Sequence, residues 1–562
     1  MINKRTNYIF SVLFFLSFSC TVVQNVETQK PPNVILIVTD DLGYSDLGFY
    51  GSKIETPNID ALAENGVAFS QFYNGARCCP SRASLLTGLY AHQAGIGHMT
   101  EDRGVQTYSG DLSKNATTIA EVLKNAGYFT AMTGKWHVTK NTKAGATKDN
   151  WPMQRGFDRF YGTLPGHGSL YDPAGLVDGN KMIKADGDFY YTEKITSKSQ
   201  EYICEAVQQD KPFFMYVAHP APHYPLHARP EVISKYKGKF SEGWDDLRTQ
   251  RYKNLLKKGI VKPEWKLPER DEQSIPWKDE PEKEFQENRM EVFAAMIDHV
   301  DQGVGEIIKT LKETGQFENT VIFFLSDNGG SAEGHRDGKI ERWGTPWKSS
   351  LIPDSTRDGR KVITGDFPCL PLGGPETYGS YGVRWANVSN APFRLHKSWL
   401  HEGGISTPFI MHWPDGLQHK GITHQVGHII DLMPTITNLT GAKYPELFKG
   451  NKIPQQEGKD LLELLNKKEI QSRTLYWEHE GNRAIRQGKW KLVSEFPGTW
   501  SSVRKYENEG HWELYDMKKD RTEQNNLAAD FPEKLKELES LWNNWADRIG
   551  VVSWENLVDE NY

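Results

Sequence analysis

Asp40-Asp41 and Asp327-Asn328 are two short polar pairs, each placed directly after an apolar run. Three carboxylates and an amide are hard oxygen donors, and no thiol adjoins either pair. That set selects Ca²⁺ or Mg²⁺ over zinc. One Asp-Asp pair taken alone is often a helix cap or a turn. Its echo after a second apolar run favours a shared cation, because clustered carboxylates otherwise repel. A different chemistry stands at Cys78-Cys79, which run into Pro80, Ser81 and Arg82. Adjacent cysteines bridge only under strain, and Cys78, Cys79, Cys204 and Cys369 are too few for a disulfide scaffold. A thiol at a helix N-terminus beside Arg82 has a lowered pKa. By itself that leaves a cysteine hydrolase and a redox thiol both open, and neither gains from a hard cation.

Further groups stand near other strand ends. Lys135 and His137 lie two apart in "TGKWHV", so on an extended chain they share a face. His223 is flanked by prolines in "HPAPHYPLHA", with His219 and His227 as rivals. Lys397 precedes a Gly-Gly pair and another apolar run. Each of these alone reads most simply as a solvated lysine or a capped histidine. The elements that carry them change that weighting.

"NVILIVT", "PFFMYVAH", "VIFFLS" and "TPFIMHW" are apolar throughout, as strands buried on both faces are. Helical stretches alternate with them: "NIDALAENG", "TTIAEVLKNAG" and the long run from Glu287 to Gly315. The alternation predicts an α/β fold, a large mixed and mostly parallel sheet sandwiched by helices. Ligands of such sheets sit beyond the carboxyl ends of the strands, where the polar pairs fall. Residues 31–445 are expected to form the catalytic domain, with the Lys- and Glu-rich stretch 230–290 as an insertion over the site. Residues 446–470 read as a linker. "RTLYWEHEG", "RAIRQGKWKLV" and "HWELYDM" then predict a C-terminal subdomain, 471–562, of α+β type on an antiparallel sheet, closed by an amphipathic helix. The net charge of −6 is not gathered into a basic stripe, which argues against nucleic acid as the partner. Residues 1–20 read as an export leader, with basic residues before an apolar run too short to span a bilayer. Cys20 stands where a lipoprotein is cut and acylated, predicting a periplasmic or outer-membrane protein of a bacterium.

Cys-x-Pro-Ser-Arg followed by "ASLLTG" is a sulfatase signature. The chain resembles the formylglycine-dependent type I sulfatases of the alkaline-phosphatase-like superfamily, and the likeness spans nearly all of it after the leader. It includes "PNVILIVTDDLGYSDLG", "TGKWH", "RGFDRFYG", "APHYPLHA", "SDNGG", "HEGGISTPFI" and "WELYDMKKDRTEQNNLA". "YGVRWANVSNAPFRLHKSWLHEGG" is similar to the bacterial arylsulfatase branch. The resemblance implies that a separate sulfatase-maturing enzyme oxidises Cys78 to Cα-formylglycine (3-oxoalanine), whose hydrate is the nucleophile. It implies one Ca²⁺ held by Asp40, Asp41, Cys78, Asp327 and Asn328. Arg82 then binds the ionised formylglycine, His137 assists its deprotonation, Lys135 and Lys397 hold sulfate oxygens, and His223 protonates the leaving alkoxide. Arg77 departs from the small or apolar residue usual before the modified cysteine. Arg77, His167, Tyr171, Glu333 and His335 are candidates for the leaving-group pocket, as are "WEHEGNR" and "FPGTW". The expected activity is hydrolysis of sulfated carbohydrates, with a terminal galactose or N-acetylhexosamine sulfate of mucin or glycosaminoglycan foremost. The alternatives are a phosphate- or phosphonate-ester hydrolase of the same superfamily, and a non-catalytic glycan-binding surface protein.

Overall fold

Strands of this composition need cover on both sides, and the fold supplies it. The computed structural model describes residue 1 and residues 30–336, 339–342, 345–347, 351–496 and 510–557. Among them, ten strands form one sheet: β1 (Asn33–Asp40), β2 (Val67–Tyr73), β3 (Phe129–Lys135), β4 (Arg159–Thr163), β5 (Leu176–Asp178), β6 (Lys181–Met182), β7 (Phe213–Pro222), β8 (Thr320–Ser326), β9 (Ser406–His412) and β10 (Gly421–His428). Their order is β10-β2-β9-β8-β1-β7-β3-β4-β5-β6. β8, β1, β7, β3 and β4 run parallel, whereas β9 runs against both β8 and β2. Residues 2–20 of the expected leader, Cys20 included, lie outside the described residues. No helix among the described residues is long and apolar enough to cross a membrane.

Alternation along each strand feeds two cores. Val34, Leu36 and Val38 enter one apolar cluster, and Ile35 and Ile37 enter the other. Helix α1 (Cys78–Thr87) packs Leu85 and Leu86 on the first. Helices α2 (Tyr191–Gln208) and α3 (Lys283–Glu313) pack on the second. In α3 the core residues Phe293, Met296, Val300, Val304, Ile307 and Leu311 recur every three or four positions, the spacing of one helix face. Burying each such large side chain contributes about 1.5–3 kcal/mol. α1 therefore lies on the face opposite α3, with its N-terminus at the polar edge of the sheet.

A separate antiparallel sheet follows in chain order: β11 (Thr474–His479), β12 (Asn482–Gln487), β13 (Trp490–Ser494) and β14 (Trp512–Asp516). Helix α4 (Pro532–Ile549) packs Leu538, Trp542, Trp545 and Ile549 against it, together with Tyr73, Leu400 and Ile405. A fully buried charge knot lies between the sheets. Lys491 Nζ is 3.0 Å from Glu402 Oε1 and 2.7 Å from Glu523 Oε1, and Arg521 Nε is 2.7 Å from Glu402 Oε2. Residues 230–290 include the helices Pro230–Tyr236 and Gly243–Lys258. Tyr236 Oη donates to Asp298 of α3, and Arg251 pairs with Asp46 in the loop after β1. Leu461 and Leu464, from the stretch 446–470, enter the same core as α1. Pro31–Tyr562 is one compact unit.

Candidate active site

Parallel strands release the chain at one edge of the sheet, and register decides which residues meet there. Thr39 pairs with Ser326, so Asp40 and Asp327, one residue further on, stand side by side. Asp40 is opposite Pro222, which brings His223 next to the pair. Gly134 is opposite Ala218 and sets Lys135 on the neighbouring strand. β9 starts at this edge because it is antiparallel, and Lys397 and Glu402 precede it. Asp41 and His137 both adopt left-handed backbone, with φ of 67° and 53°. That conformation is uncommon outside glycine, though Asp and His adopt it more readily than most residues, and it accumulates where a fold must aim a side chain.

Three cations oppose the three carboxylates, all of them buried. Lys135 Nζ is 2.5 Å from Asp40 Oδ2, and Lys397 Nζ is 2.9 Å from Asp41. Arg82 donates Nε to Asp327 Oδ2 at 2.9 Å, with Nη2 at 2.8 Å from the same oxygen, and its Nη1 donates to the Lys135 carbonyl. Asn328 Nδ2 donates to Asp41 Oδ1 at 2.7 Å. Burial first, then the like charge of Asp40, raises the Asp327 carboxyl well above its ordinary value, while Arg82 and Lys135 pull it back. Two oxygens in this cluster, Asp40 Oδ1 and Asn328 Oδ1, are buried without a hydrogen-bond partner. Unshared hard oxygens among carboxylates fit a divalent cation of the calcium type.

His223 Nε2 is 3.5 Å from Asp41 Oδ2, and its Nδ1 donates to the Tyr224 carbonyl at 2.6 Å. That bond fixes the tautomer and leaves Nε2 facing the carboxylates. Burial lowers the imidazole pKa to about 3 against the opposing charge of Asp41. The rivals are occupied differently. His227 accepts from the Leu170 backbone at Nδ1 and bonds the Thr377 carbonyl through Nε2, while His219 is fully buried with neither nitrogen bonded.

Cys78 and Cys79 open α1, with Arg77 as its N-cap in extended conformation. Sulfur and nitrogen atoms of Cys78, Cys79 and His137 lie within 4.8 Å of one another, and His137 Nε2 is 3.2 Å from Cys79 Sγ. The Cys79 hydrogen bond holds the Cys78 thiol well below its ordinary pKa despite burial, and Lys135 and His137 add to the effect. Burial instead pushes the Cys79 thiol up. Of two neighbouring sulfurs, Cys78 is the one whose environment favours the anion over the neutral thiol.

The candidate pocket residues divide. Arg77 Nη1 donates to Ser398 Oγ at 2.6 Å and its Nη2 to Glu333 Oε1 at 3.3 Å, while Glu333 Oε2 is 3.8 Å from Lys397. His167 bonds Tyr378 Oη at 2.7 Å, and its ring lies parallel to that of His223 at 6.0 Å. These three join the site. Tyr171 does not: its hydroxyl donates to the Ala228 carbonyl and its ring packs on Tyr190 and His227. The His335 side chain, and all of "FPGTW" after Phe496, lie outside what is described. The sequence reading missed Tyr216, Ser398 and Tyr378. Tyr216 is 3.4 Å from Arg82 Nη1, and a lone hydroxyl inside the apolar run "FFMYVA" was its signal.

The chain matches the family described as Sulfatase over residues 32–442, and the C-terminal family of N-sulphoglucosamine sulphohydrolase over residues 393–546. It is 33% identical to an uncharacterized sulfatase of Schizosaccharomyces pombe, covering 95% of this chain and 97% of that one. It is 35% identical to an arylsulfatase of Klebsiella aerogenes, covering 74% of this chain and 87% of that one. Among solved structures it is similar to Ps i-CgsB in complex with k-i-k-neocarrahexaose. The TM-score there is 0.63 and the identity 26%, over 92% of this chain and 93% of that one.

Proposed function

Because the chain belongs to the sulfatase family, we propose that it removes sulfate from sulfated carbohydrates, with Cys78 carried as Cα-formylglycine. One Ca²⁺ would be held by Asp40, Asp41, Asp327, Asn328 and the modified residue 78. The observation that carries this reading is the meeting of Asp40 Oδ1 and Asn328 Oδ1, both unshared, with the start of α1 at one sheet edge. When bound, the ion polarises a sulfate oxygen and stabilises an anionic nucleophile. Residue 78 as a formylglycine hydrate would supply that nucleophile and a way to expel sulfate by re-forming its carbonyl, an escape that a serine ester lacks.

The chain's own residues do the rest. Lys135 and Lys397 are counter-ions of Asp40 and Asp41. With a dication on those carboxylates, the same ammonium groups are available to sulfate oxygens. Arg82, fixed by Asp327 and the Lys135 carbonyl, supplies a permanent positive charge beside residue 78. His137 takes a proton from the nucleophile's side. His223 Nε2 gives a proton to the leaving oxygen, and the negative charge of the ester counteracts the burial that lowers its pKa. The bound saccharide of Ps i-CgsB supports a carbohydrate leaving group. A terminal galactose or N-acetylhexosamine sulfate of mucin or glycosaminoglycan is our first choice, with Arg77, His167 and Glu333 lining its pocket. In the same reading a sulfatase-maturing enzyme converts Cys78, and the leader with Cys20 places the protein in the periplasm or on the outer membrane. Residues 31–445 carry the chemistry, 446–470 link, and 471–562 complete the pocket.

A panel of defined sulfated mono- and disaccharides, with phosphate esters of the same sugars beside them, tests the proposal. We expect inorganic sulfate from at least one sugar and far less phosphate from its partner. Phosphate released as fast as sulfate would make the chain a general ester hydrolase. A peptide map of the active protein should show residue 78 lighter by the difference between CH₂SH and CHO.

A further inference from the structure

Outside the catalytic cluster, the described residues bring together one more group of buried ligating side chains: His98, His479 and Glu480. His98 lies in the loop that follows α1. His479 ends β11, and Glu480 stands in the turn to β12 with φ of 52°, a left-handed conformation that aims a glutamate at some cost. His98 Nδ1 is 3.4 Å and His479 Nε2 is 3.6 Å from the same oxygen, Glu480 Oε1. His479 is fully buried, and neither of its ring nitrogens makes a hydrogen bond. Burying an imidazole in that way is unfavourable unless a ligand takes up its nitrogens. Trp554 packs edge-on against His98, with ring centroids 4.7 Å apart, and closes the group from another side.

We propose that His98, His479 and Glu480 bind a transition-metal dication of the Zn²⁺ class, as a second metal centre distinct from the oxygen-lined one. Geometry and donor chemistry agree on this. Zinc bonds to imidazole and carboxylate are about 2.0–2.2 Å long, so tetrahedral ligands stand roughly 3.3–3.6 Å apart. The two distances to Glu480 Oε1 fall in that range. Two imidazoles with one carboxylate are a borderline-soft set that favours zinc over calcium, the reverse of the three aspartates and an asparagine at the sheet edge. The centre ties the loop after α1 to the β11–β12 turn, which are far apart in sequence. Glu480 also acts through its charge on Arg77, the residue before Cys78, so the centre steadies a turn that adjoins the catalytic cluster.

The experiment counts metals. Full-length protein is incubated with Zn²⁺ in calcium-containing buffer, desalted, and assayed for zinc and calcium per chain by elemental mass spectrometry. A Co²⁺-loaded sample is scanned for the visible bands of tetrahedral cobalt. We expect one zinc per wild-type chain, and those bands. His479→Ala and Glu480→Gln should weaken zinc binding by more than the ~10–100-fold that follows loss of an outer-shell partner. Calcium content should stay unchanged in both, which shows that the variants are folded. Cys78→Ala, which removes the other sulfur- and imidazole-containing cluster, should still retain zinc. Wild type without zinc would overturn the proposal and leave Glu480 as a counter-ion of Arg77. Equal retention by wild type and His479→Ala would also overturn it. Neither result bears on sulfate hydrolysis.

Discussion

Each cation of the catalytic cluster has one nearest carboxylate: Lys135 on Asp40, Lys397 on Asp41, Arg82 on Asp327. Such pairing lets acids and bases crowd together away from water, where an unpaired charge is several kcal/mol less stable. His223 differs, because among the described residues its one ion pair is with Asp41, which it shares with Lys397, and its Nδ1 is committed to a carbonyl. An acid held in that way matters most for poor leaving groups. His223→Ala should therefore slow sugar sulfates by ~10²-fold or more and nitrophenyl sulfate much less. Equal losses on the two substrates would remove the acid role. Most of these residues could be picked out in the sequence, because carboxylates, lysines and histidines at the ends of apolar runs have few structural duties there. What could not be read was pairing. Glu333 reads as a sugar contact, and the sequence does not reveal that it also bonds Arg77, whose guanidinium needs an acceptor once buried. Tyr171 looked like one and is spent on a backbone carbonyl.

Strand register sets Asp40 beside Asp327, and the turns that follow are held by close packing on the loops beside them. A Cβ on Gly43, in the turn after Asp41, would sit 2.5 Å from the Ser389 backbone. One on Gly329, after Asn328, would sit 1.9 Å from the Gly403 carbonyl oxygen. Close approach of backbone to backbone thus explains the glycines of "DDLG" and "SDNGG". Gly329→Ala should displace the Asp327-Asn328 turn, cost about 1–3 kcal/mol by overpacking, and weaken calcium binding. Isothermal titration with Ca²⁺ reads that loss, and unchanged affinity would detach the turn from the cation. At this scale the central strands and long helices were legible, since runs such as "VILIV" and the three-and-four spacing of α3 carry their own period. The direction of β9 was not. Its residues are as apolar as those of its parallel neighbours, and direction depends on where the chain re-enters the sheet, which no local pattern records.

Across the whole molecule, the Glu402 knot couples the turn before β9 to β13 and to residues 521–523. Burial alone would raise the Glu402 carboxyl, but Lys491, Arg521 and Arg486 outweigh it and bring the pKa from 4.5 to about 2. A depressed carboxylate stabilises the fold fully above its unfolded pKa, and the contribution disappears as pH falls through the folded one. Thermal stability should thus fall between about pH 4.5 and 2 for this reason, with part of that slope missing in Glu402→Gln. That variant should also lose about 3–5 kcal/mol near neutral pH, because Lys491 and Arg521 keep buried charge with less to oppose it. Melting curves against pH decide this, and parallel wild-type and variant slopes would refute it. The most direct measurement of the central claim is sulfate release by two single-thiol variants. Cys78→Ala should release none above background from a sugar sulfate that wild type hydrolyses, whereas Cys79→Ala should continue to turn over. Release by Cys78→Ala at the wild-type rate would contradict the account.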